Sequence, residues 1–370
     1  MNISIQQIEI YKLPVRLKKP FIISLGPFYY AENVLVIMRT TNGITGFGEC
    51  SPFMTINGEN METGFAVGPH LAKALLGKNP LEIESCVNAM DKVIYANASI
   101  KSAFDMALYD IASQHAGVPL YKFLGGENNK VLVTDYTVSF DAAAKMADEA
   151  VNIVQNGFQI IKVKLGGEGD SDVERMRAIR EAVGMEIPIR IDANQGWTSE
   201  TTLGILEKLK KYTIQHCEEP IPRWDFMNLP KIKKQSPIPI MADESCCDHH
   251  DAKRLLDLNA CDLLNVKMGK SGGIFKALKI ISIAEKANMH IQLGGFLESR
   301  LGFTAAAHLA LTSGNIVHVD FDTPLMLEQD PVEGGIVYRE NGKIEVGDAV
   351  GLGAKIDEKF LNALESVVCK

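Results

Sequence analysis

The chain lacks features that would place it in several large classes of protein. Its 370 residues carry a net charge of −8, so no excess of basic side chains points to nucleic acid or to an anionic membrane. No apolar run approaches the roughly 20 residues needed to cross a bilayer. The first residues alternate like a strand and lack the apolar centre of a signal peptide. We therefore expect a cytoplasmic protein without nucleic-acid or membrane partners.

Cysteine is scarce and shows no pattern. The seven cysteines are scattered, their number is odd, and none form a Cys-x-x-Cys pair, although Cys246 and Cys247 are adjacent. This distribution favours reduced, mostly buried thiols over a disulfide framework. Cys217 precedes Glu218 in a predicted strand, where we expect a core thiol and not a metal ligand. Low-complexity sequence is also lacking.

What is present is an apolar strand that carries two lysines. Residues 160–166 read Ile-Ile-Lys-Val-Lys-Leu-Gly, which places Lys162 and Lys164 two positions apart. In a strand such residues point to the same face. Burying two ammonium groups is costly unless acidic groups meet them. Two interpretations are open here: an edge strand with a solvated lysine face, or a core strand that faces acids.

The chain after this strand favours the core interpretation. Successive strand-like segments recur roughly every 24–28 residues, and most end in a charged group. They end at Asp192, Glu218, Asp243, Lys267, Leu293 and the Asp320–Asp322 pair. Such spacing fits a strand, a helix and two short loops. Charged groups at the carboxyl ends of repeated βα units are the layout of a (β/α)₈ active site. We predict an α/β fold with a (β/α)₈-type barrel, a modified TIM barrel.

The segments outside the barrel pattern predict an α+β capping domain. We expect residues 1–125 to form this domain, residues 126–323 to form the barrel with the active site, and residues 324–370 to pack back on the cap. The expected strands of the cap are Ile3–Leu13, Val34–Thr40 and Gly46–Cys50, and its expected helices are Glu62–Leu76, Pro80–Tyr95 and Ala98–Ala116. Residues 18–32 and 51–60 are predicted loops. The first barrel strand is predicted at residues 131–139. The tail is predicted to form a hairpin around Asn341-Gly342, followed by a short helix.

Three carboxylates are predicted at consecutive strand ends. Asp192, Glu218 and Asp243 would repel one another there, and a bound cation would remove the repulsion. Ligation by oxygen alone favours Mg²⁺ over Mn²⁺ or Ca²⁺. Alternatively, one of these acids only pairs with a lysine across the barrel mouth.

Two lysines are predicted on opposite sides of the same ring. Lys164 and Lys267 come from the second and sixth strands, so they could approach a metal-bound substrate from its two faces. We expect neighbouring cations such as Lys162 to lower a lysine pKa toward neutrality, which would make that lysine a usable base.

These residues together resemble the enolase superfamily, in its muconate lactonizing enzyme subgroup. The matching motifs are Lys-x-Lys at 162–164, Asp192-Ala-Asn, Glu218-Glu-Pro, Ala242-Asp-Glu-Ser, Lys267, the Lys270-Ser-Gly-Gly turn and, in the cap, Gly46-Phe-Gly-Glu49. A lysine base with Mg²⁺ that stabilises an ene-diolate is the pattern of that superfamily.

The resemblance implies a role for each motif residue. It implies that Asp192, Glu218 and Asp243 bind Mg²⁺, with Mn²⁺ as a substitute, and that Asn194 and Glu244 support them. It further implies that Lys164 and Lys267 are the acid/base pair and that Lys162 stabilises the enolate.

The end of the eighth strand distinguishes activities within the subgroup. Asp320 and Asp322 point to one face and can hold a cation, which resembles the dipeptide epimerases, whose paired aspartates bind the α-ammonium group. The resemblance thus implies inversion of the C-terminal α-carbon of a dipeptide by two lysines through a metal-stabilised enolate. The rivals are N-acylamino acid racemase, o-succinylbenzoate synthase and a catalytically silent barrel. A structural pair that caps the next helix is the alternative for the two aspartates.

The loops of the cap predict which dipeptide is accepted. In this family they close over the barrel mouth, and epimerases that act on Ala-Glu carry an arginine in the first loop; this chain has none between Leu17 and Met38. We expect contact with the substrate from Ser24, Phe53, Met54, Ile56, Phe296, Leu297 and Glu298. These predict small or branched apolar C-terminal residues, as in Ala-Ala or Ala-Val, unless Lys18 or Lys19 reaches inward. Glu59 and Glu298 could bind a cation, so a substrate with a cationic C-terminal side chain stays an alternative. We also expect a homo-oligomer.

Overall fold

An antiparallel sheet opens the chain in the computed structural model, which describes residues 3–370. Its strands are β1 (Ile5–Ile23), β2 (Gly26–Thr40) and β3 (Thr45–Cys50), and the last strand of the chain, β17 (Ser366–Cys369), pairs with β1. The hairpin predicted at Asn42-Gly43 is confirmed, because β2 and β3 pair on either side of it with Arg39 opposite Thr45.

The loop predicted for residues 18–32 is wrong. β1 and β2 continue through this region as one long hairpin with its tip at Ser24-Leu25, and Phe21 stands opposite Phe28. Gly26 has a φ of +128°, which glycine adopts without steric cost, so the chain reverses there. Cross-strand pairing of apolar and aromatic side chains then holds the two strands together.

Helices follow this sheet along the chain, and the three long ones pack against it. They are α1 (Met54–Asn57), α2 (Met61–Leu75), α3 (Ile83–Val93), α4 (Ala98–Ala116) and α5 (Leu120–Phe123). The three long helices agree with the predicted segments, and α4 matches its predicted bounds. Residues of β1, β2, α2, α3 and α4 form an apolar core of their own, separate from the larger core of the barrel. The cap therefore has its own hydrophobic centre.

Eight parallel strands in the order of the chain form the barrel sheet. They are β5 (Tyr136–Val138), β6 (Ile161–Lys164), β7 (Ile189–Asp192), β8 (Ile214–Glu218), β9 (Ile240–Ala242), β10 (Leu263–Lys267), β11 (His290–Gly294) and β12 (Ile316–Val319). The helices between and after them are α6 (Ala143–Gln155), α7 (Gly169–Val183), α8 (Thr202–Leu209), α9 (Leu229–Gln235), α10 (His249–Asp257), α11 (Met268–Ser271), α12 (Ile274–Lys286), α13 (Arg300–Ala310) and α14 (Thr323–Met326).

The two edges of this curled sheet meet near Thr134. Thr134 forms a parallel bridge with Val319, and its hydroxyl accepts a hydrogen bond of 2.8 Å from the Phe321 main-chain N. The predicted (β/α)₈-type fold is confirmed. The strand predicted at 131–139 is divided, however, because β4 (Leu132–Val133) leaves the barrel sheet and pairs with the tail.

The tail contacts both parts of the molecule. It contains β13 (Val332–Gly334), β14 (Val337–Tyr338), β15 (Lys343–Glu345), β16 (Ala354–Ile356) and α15 (Glu358–Leu361). β14 and β15 form the predicted hairpin, and β15 pairs with β4. The predicted short helix is present as α15, but strand β17 follows it as the last element, because pairing with the edge of β1 satisfies main-chain groups on both strands. The division at 125/126 and 323/324 stays a prediction.

The helices and the cysteines can be compared with the composition of the chain. Within residues 3–370 we find no helix both long and apolar enough to cross a bilayer. All seven cysteines in that part of the chain are free, and five of them are buried.

The Gly-x-Gly of the cap motif permits close packing between β3 and α4. A Cβ atom on Gly48 would lie 1.9 Å from the main-chain O of Ala103, and one on Gly46 would lie 2.3 Å from that of Ala107. The strand can approach the helix backbone only because both positions lack a side chain.

We predict that Gly48→Ala lowers the free energy of unfolding by about 1–3 kcal/mol, because β3 and α4 must move apart. Gly204→Ala in α8 is the matched control, since a Cβ atom there meets nothing within 4 Å and alanine favours the helix by about 0.8–1.0 kcal/mol. Urea unfolding of both variants measures the difference. Equal stability of the two variants would contradict the packing argument.

Candidate active site

The two lysines of the 160–166 stretch are buried at the carboxyl end of β6. Lys162 Nζ lies 2.8 Å from Glu218 Oε2, 2.8 Å from Asp320 Oδ2 and 3.2 Å from Asp192 Oδ2. Lys164 Nζ lies 2.7 Å from the same Asp192 oxygen. β6 is thus a core strand whose charged face meets acids, and the solvated edge strand is wrong.

Each of the three strand-end carboxylates faces a lysine. Lys267 Nζ lies 2.7 Å from Asp243 Oδ2 and 3.9 Å from Glu218 Oε1, and Lys270 contacts the other oxygen of Asp243. Among residues 3–370, His, Cys, Asp and Glu side chains form no ready-made group of three around one point. Pairing with a lysine, the alternative considered for one of these acids, is therefore present at all three of them.

These contacts determine the pKa of the lysines. Burial lowers the pKa of Lys162, but the charges of Asp320, Glu218 and Asp192 raise it by more. The resulting pKa is well above the ordinary value. The pKa of Lys267 is raised in the same way, chiefly by Asp243. The expectation that neighbouring cations lower the pKa of a base lysine is wrong for Lys267, because Asp243 and Glu218 raise its pKa by more than Lys162 lowers it.

The acids of the same region are still in excess. Burial and the neighbouring Asp192 raise the pKa of Glu218 to about 7, and burial raises that of Glu219 to about 7. Burial together with Asp243 and Glu219 raises the pKa of Glu244 well above its ordinary value. The cluster can therefore accept additional positive charge.

Polar side chains hold the strand ends in place. Asn265 Nδ2 donates to Glu218 Oε1 at 2.7 Å, and the Asp243 main-chain N donates to Glu219 Oε2 at 2.7 Å. Asn194 donates to Glu244 at 3.3 Å. Asn194 and Glu244 thus lie beside the carboxylates, where the resemblance placed them.

One small cavity collects the reactive groups. It has a volume of about 40 Å³. Its walls are Phe21, Ile23, Phe53, Ile56, Thr137, Lys162, Lys164, Asn194, Lys267, Gly295, Phe296, Asp320, Asp322 and Thr323. Lys164 Nζ lies 5.7 Å from the ring centroid of Phe21, and Lys267 Nζ lies 5.0 Å from that of Phe296. Each of the two lysines therefore stands over a phenyl ring at the edge of one shared space.

A larger cavity of about 550 Å³ lies elsewhere. It is formed by residues 18–22, the end of β5, α6 and Met326, and the buried lysines and strand-end acids do not line it. Lys18 and Lys19 point this way: Lys18 Nζ donates to the Leu325 main-chain O at 2.8 Å, and Lys19 Nζ lies 3.3 Å from Glu149. Size alone would select this cavity, but the chemistry is in the smaller one.

The two aspartates after β12 have different partners. Asp320 is bound to Lys162 as described, whereas Asp322 Oδ2 accepts a 2.7 Å hydrogen bond from the Thr137 main-chain N. Burial and the charge of Asp320 raise the pKa of Asp322 to about 7. Asp322 does not cap α14 with its side chain. The capping interpretation is therefore wrong, and both aspartates line the cavity.

The structure brings only part of the predicted contact residues to the cavity. Phe53, Ile56 and Phe296 line it. Met54 is exposed, and Ser24 Oγ donates to the Asn194 main-chain O at 3.0 Å. The main-chain N of Leu297 donates to Ser51, and Glu298 Oε2 accepts from the Phe296 main-chain N at 2.6 Å. Glu59 accepts from the main-chain N of Ser99 at 3.1 Å.

Sequence reasoning did not select several wall residues. These are Phe21, Ile23, Thr137, Gly295 and Thr323. Phe21 stood within the predicted loop and Gly295 beside the seventh strand, so position was a usable signal for both. Thr137 and Thr323 carry no such signal, since uncharged residues of this kind are common at strand ends.

Comparison with known proteins agrees with this architecture. Residues 6–125 match the model for the mandelate racemase/muconate lactonizing enzyme N-terminal domain, and residues 145–360 match the model for the enolase C-terminal domain-like family. A D-Ala-D/L-Ala epimerase from Cytophaga hutchinsonii is 58% identical over 98% of this chain and 99% of its own length.

Solved structures are also similar. A dipeptide epimerase from Cytophaga hutchinsonii, complexed with Mg and D-Ala-L-Val, has a TM-score of 0.99 at 57% identity and covers 99% of this chain and 100% of its own. One from Enterococcus faecalis V583, complexed with Mg and L-Leu-L-Tyr, has a TM-score of 0.92 at 38% identity, with 95% and 99% covered. An N-succinyl Arg/Lys racemase from Bacillus cereus has a TM-score of 0.96 at 32% identity, with 99% and 100% covered. This chain belongs to the mandelate racemase/muconate lactonizing enzyme family of the enolase superfamily.

Proposed function

We propose that this protein is a Mg²⁺-dependent dipeptide epimerase that inverts the α-carbon of the C-terminal residue. The observation that carries this proposal is the single cavity in which Lys164 and Lys267 accompany Asp320 and Asp322. Two lysines can move a proton on either face of a carbon atom, and two aspartates can hold an ammonium group. A relative at 58% identity is named D-Ala-D/L-Ala epimerase, which supports the same activity.

Asp192, Glu218 and Asp243 would hold the metal ion. All three are fully buried and offer only oxygen, the ligand type that Mg²⁺ prefers, with Mn²⁺ as the expected substitute. Asp243 Oδ2 is ion-paired with Lys267 Nζ at 2.7 Å but has no partner in hydrogen-bond geometry among residues 3–370. The raised pKa of Glu218 fits a carboxylate that still needs a cation. A bound Mg²⁺ would supply electrostatic stabilisation to the carboxyl group of the C-terminal residue.

The protein residues divide the remaining work. Lys164 or Lys267 takes the α-proton, and the other lysine returns a proton to the opposite face. Lys162, surrounded by carboxylates and charged, adds a fixed positive charge beside the same carboxyl group. The rings of Phe21 and Phe296 stand beside the two lysines and form apolar walls, which would favour the exclusion of water around a bound substrate.

The aspartates after β12 support a substrate with a free amino terminus, which would be the second group that the protein recognises besides the carboxyl group. Asp320 is already paired with Lys162, whereas Asp322 has, among residues 3–370, only the Thr137 main-chain N as its hydrogen-bond donor. Asp322 is therefore available to a substrate ammonium group. An N-acyl substrate offers no such cation, which argues against the racemase and synthase alternatives despite the likeness to the Bacillus cereus racemase.

The side-chain specificity follows from the apolar walls. Phe53, Ile56 and Phe296 line the cavity, and Lys18 and Lys19 are engaged outside it. Glu59 and Glu298 were the two acids that could have bound a cationic substrate side chain. Both accept hydrogen bonds from main-chain N–H groups instead. These contacts support small or branched apolar C-terminal residues.

The assembly and the location of the protein are also proposals. Trp224 and Met227, which are 78% and 63% exposed, are large apolar side chains on the surface, and burial between copies in a homo-oligomer would remove them from water. The seven free cysteines support a reducing, cytoplasmic compartment.

A panel of dipeptides tests the function. We expect epimerisation of Ala-Ala and Ala-Val, with kcat/KM about 100-fold or more above that for Ala-Glu and Ala-Lys, because an unpaired charge in an apolar pocket costs several kcal/mol. N-acetyl-Ala-Ala, which lacks the ammonium group, should react as poorly as the charged dipeptides. Equal turnover of the acetylated and free dipeptides would favour the racemase, and inactivity toward the whole panel would favour the silent barrel.

The two lysines give a second prediction. Lys267→Ala should slow epimerisation by about 10²–10⁴-fold but leave exchange of the α-proton with D₂O for one epimer of the dipeptide. Lys164→Ala should leave exchange for the opposite epimer. Proton NMR in D₂O measures both rates, with Lys253→Ala, at an exposed lysine of α10, as control. Near wild-type epimerisation by either active-site variant would disprove the two-base assignment.

The pKa of Asp322 predicts how substrate affinity depends on pH. Below about pH 7 Asp322 is protonated and attracts the ammonium group weakly, so KM for Ala-Ala should fall as pH rises from 6 to 7.5. Above about pH 8 the dipeptide amine itself loses its proton and KM should rise again. Asp322→Asn should raise KM and remove the decrease between pH 6 and 7.5. A variant that keeps the wild-type pH profile would show that Asp322 is not the titrating group.

A further inference from the structure

A buried lysine that the proposed chemistry does not use stands behind the carboxylates. Lys270 lies on the one-turn helix α11, which ends at Gly272 in the left-handed conformation. Its side chain has no exposed surface. A buried ammonium group needs acceptors for its charge and its N–H groups, so its contacts indicate its role.

All three N–H donors of the Lys270 ammonium group have protein acceptors. Nζ donates to the Oδ1 atom and to the main-chain O of Asp243, and to the main-chain O of Asn265 at 3.0 Å. The lysines that line the cavity are three other residues. Lys270 is therefore placed to hold its neighbours and not to exchange a proton with a substrate.

These contacts give the two carboxylate oxygens of Asp243 different partners. Oδ1 is held by Lys270. Oδ2 lies 2.7 Å from Lys267 Nζ, but outside hydrogen-bond geometry, and has no hydrogen-bond partner among residues 3–370. A hydrogen bond from a buried ammonium group to Oδ1 opposes the rotation that would bring both oxygens onto one ion. Asp243 is thereby preset to offer a single oxygen on the side of Lys267, which lines the cavity.

The same lysine steadies a second carboxylate. Asn265 accepts a hydrogen bond from Lys270 at its main-chain O and donates one to Glu218 Oε1 from its side-chain amide. Lys270 thus connects, directly or through one residue, two of the three carboxylates that we assign to the metal.

We propose that Lys270 is a positioning residue that holds Asp243 as a one-oxygen ligand and so favours Mg²⁺ over larger cations. This inference rests on the proposed metal site. Mg²⁺ requires near-octahedral geometry, whereas Ca²⁺ accepts more oxygens and often takes both oxygens of a carboxylate. An Asp243 released from Lys270 could turn and offer both oxygens, which suits Ca²⁺.

A simple counter-charge role predicts a different result. If Lys270 only balanced the acids, its removal would take a like charge away from the divalent ion and tighten the binding of Mg²⁺ and Ca²⁺ alike. A positioning role predicts weaker Mg²⁺ binding and a smaller change for Ca²⁺. The ratio of the two affinities therefore separates the roles, and a general loss of stability does not mimic it.

Calorimetric titration of metal-free protein with Mg²⁺ and with Ca²⁺, without substrate, measures this ratio. In Lys270→Met we expect Kd for Mg²⁺ to rise by about 10–100-fold and the preference for Mg²⁺ over Ca²⁺ to fall. Lys276→Met is the control, because Lys276 lies on the next helix, pairs with Asp91 and is partly exposed. Thermal melting shows that each variant is folded at the titration temperature. Lys270→Gln replaces Lys270→Met if that variant does not fold. It removes the charge but keeps amide N–H donors on a shorter side chain, so we expect a shift in the same direction and of smaller size.

Three results would overturn parts of the proposal and can be told apart. Tighter binding of both ions, or an unchanged ratio, would overturn the positioning role alone. Wild-type protein that binds Mg²⁺ but epimerises no dipeptide would overturn the proposed function and leave the role of Lys270 intact. Wild-type protein that binds neither ion would overturn both.

Discussion

Burial of lysines at the barrel mouth is the constraint on which the site depends. Lys162, Lys164, Lys267 and Lys270 are each nearly or fully removed from water, and a buried ammonium group is tolerated only where carboxylates lie within reach. Parallel strands bring their carboxyl ends to one edge, so acids from neighbouring strands can meet each lysine. The barrel thus supplies the geometry that makes so much buried charge stable.

The same pairing makes the site responsive to a cation. The lysines lie in direct contact with the carboxylates. A divalent ion would therefore replace some of the lysine contacts of Asp192, Glu218 and Asp243 and would not need a new cavity. Lysines that lose part of their carboxylate contact would be less strongly held in the charged form. A lysine stabilised as a cation in the metal-free protein is therefore compatible with a lysine that accepts a proton when metal and substrate are present.

The cap is joined to this site through a buried carboxylate. Glu49, at the end of β3, accepts hydrogen bonds from Asn33, from the main-chain N and hydroxyl of Ser299, and from the main-chain N of Gly302 at the start of α13. The positive end of a helix favours a carboxylate in this position. Asn33 also donates to the Leu297 main-chain O. The chain after β11, with Phe296, is thereby held by the cap, while Phe21 and Phe53 come from the cap itself.

The sequence by itself determined the barrel, the residues at its strand ends and the family. These properties depend on the spacing of charged groups along the chain, because a regular βα period brings residues at equivalent positions to one edge. The partners of those residues were decided by tertiary structure. Lysines and carboxylates that are far apart in sequence meet only once the ring closes, so the raised pKa of Lys267, the different partners of Asp320 and Asp322, and the contacts of Lys270 could not be read from spacing. The hairpin at the tip of the cap and the final strand were also decided there, because main-chain pairing with β1 outweighs the weak local signals of both segments.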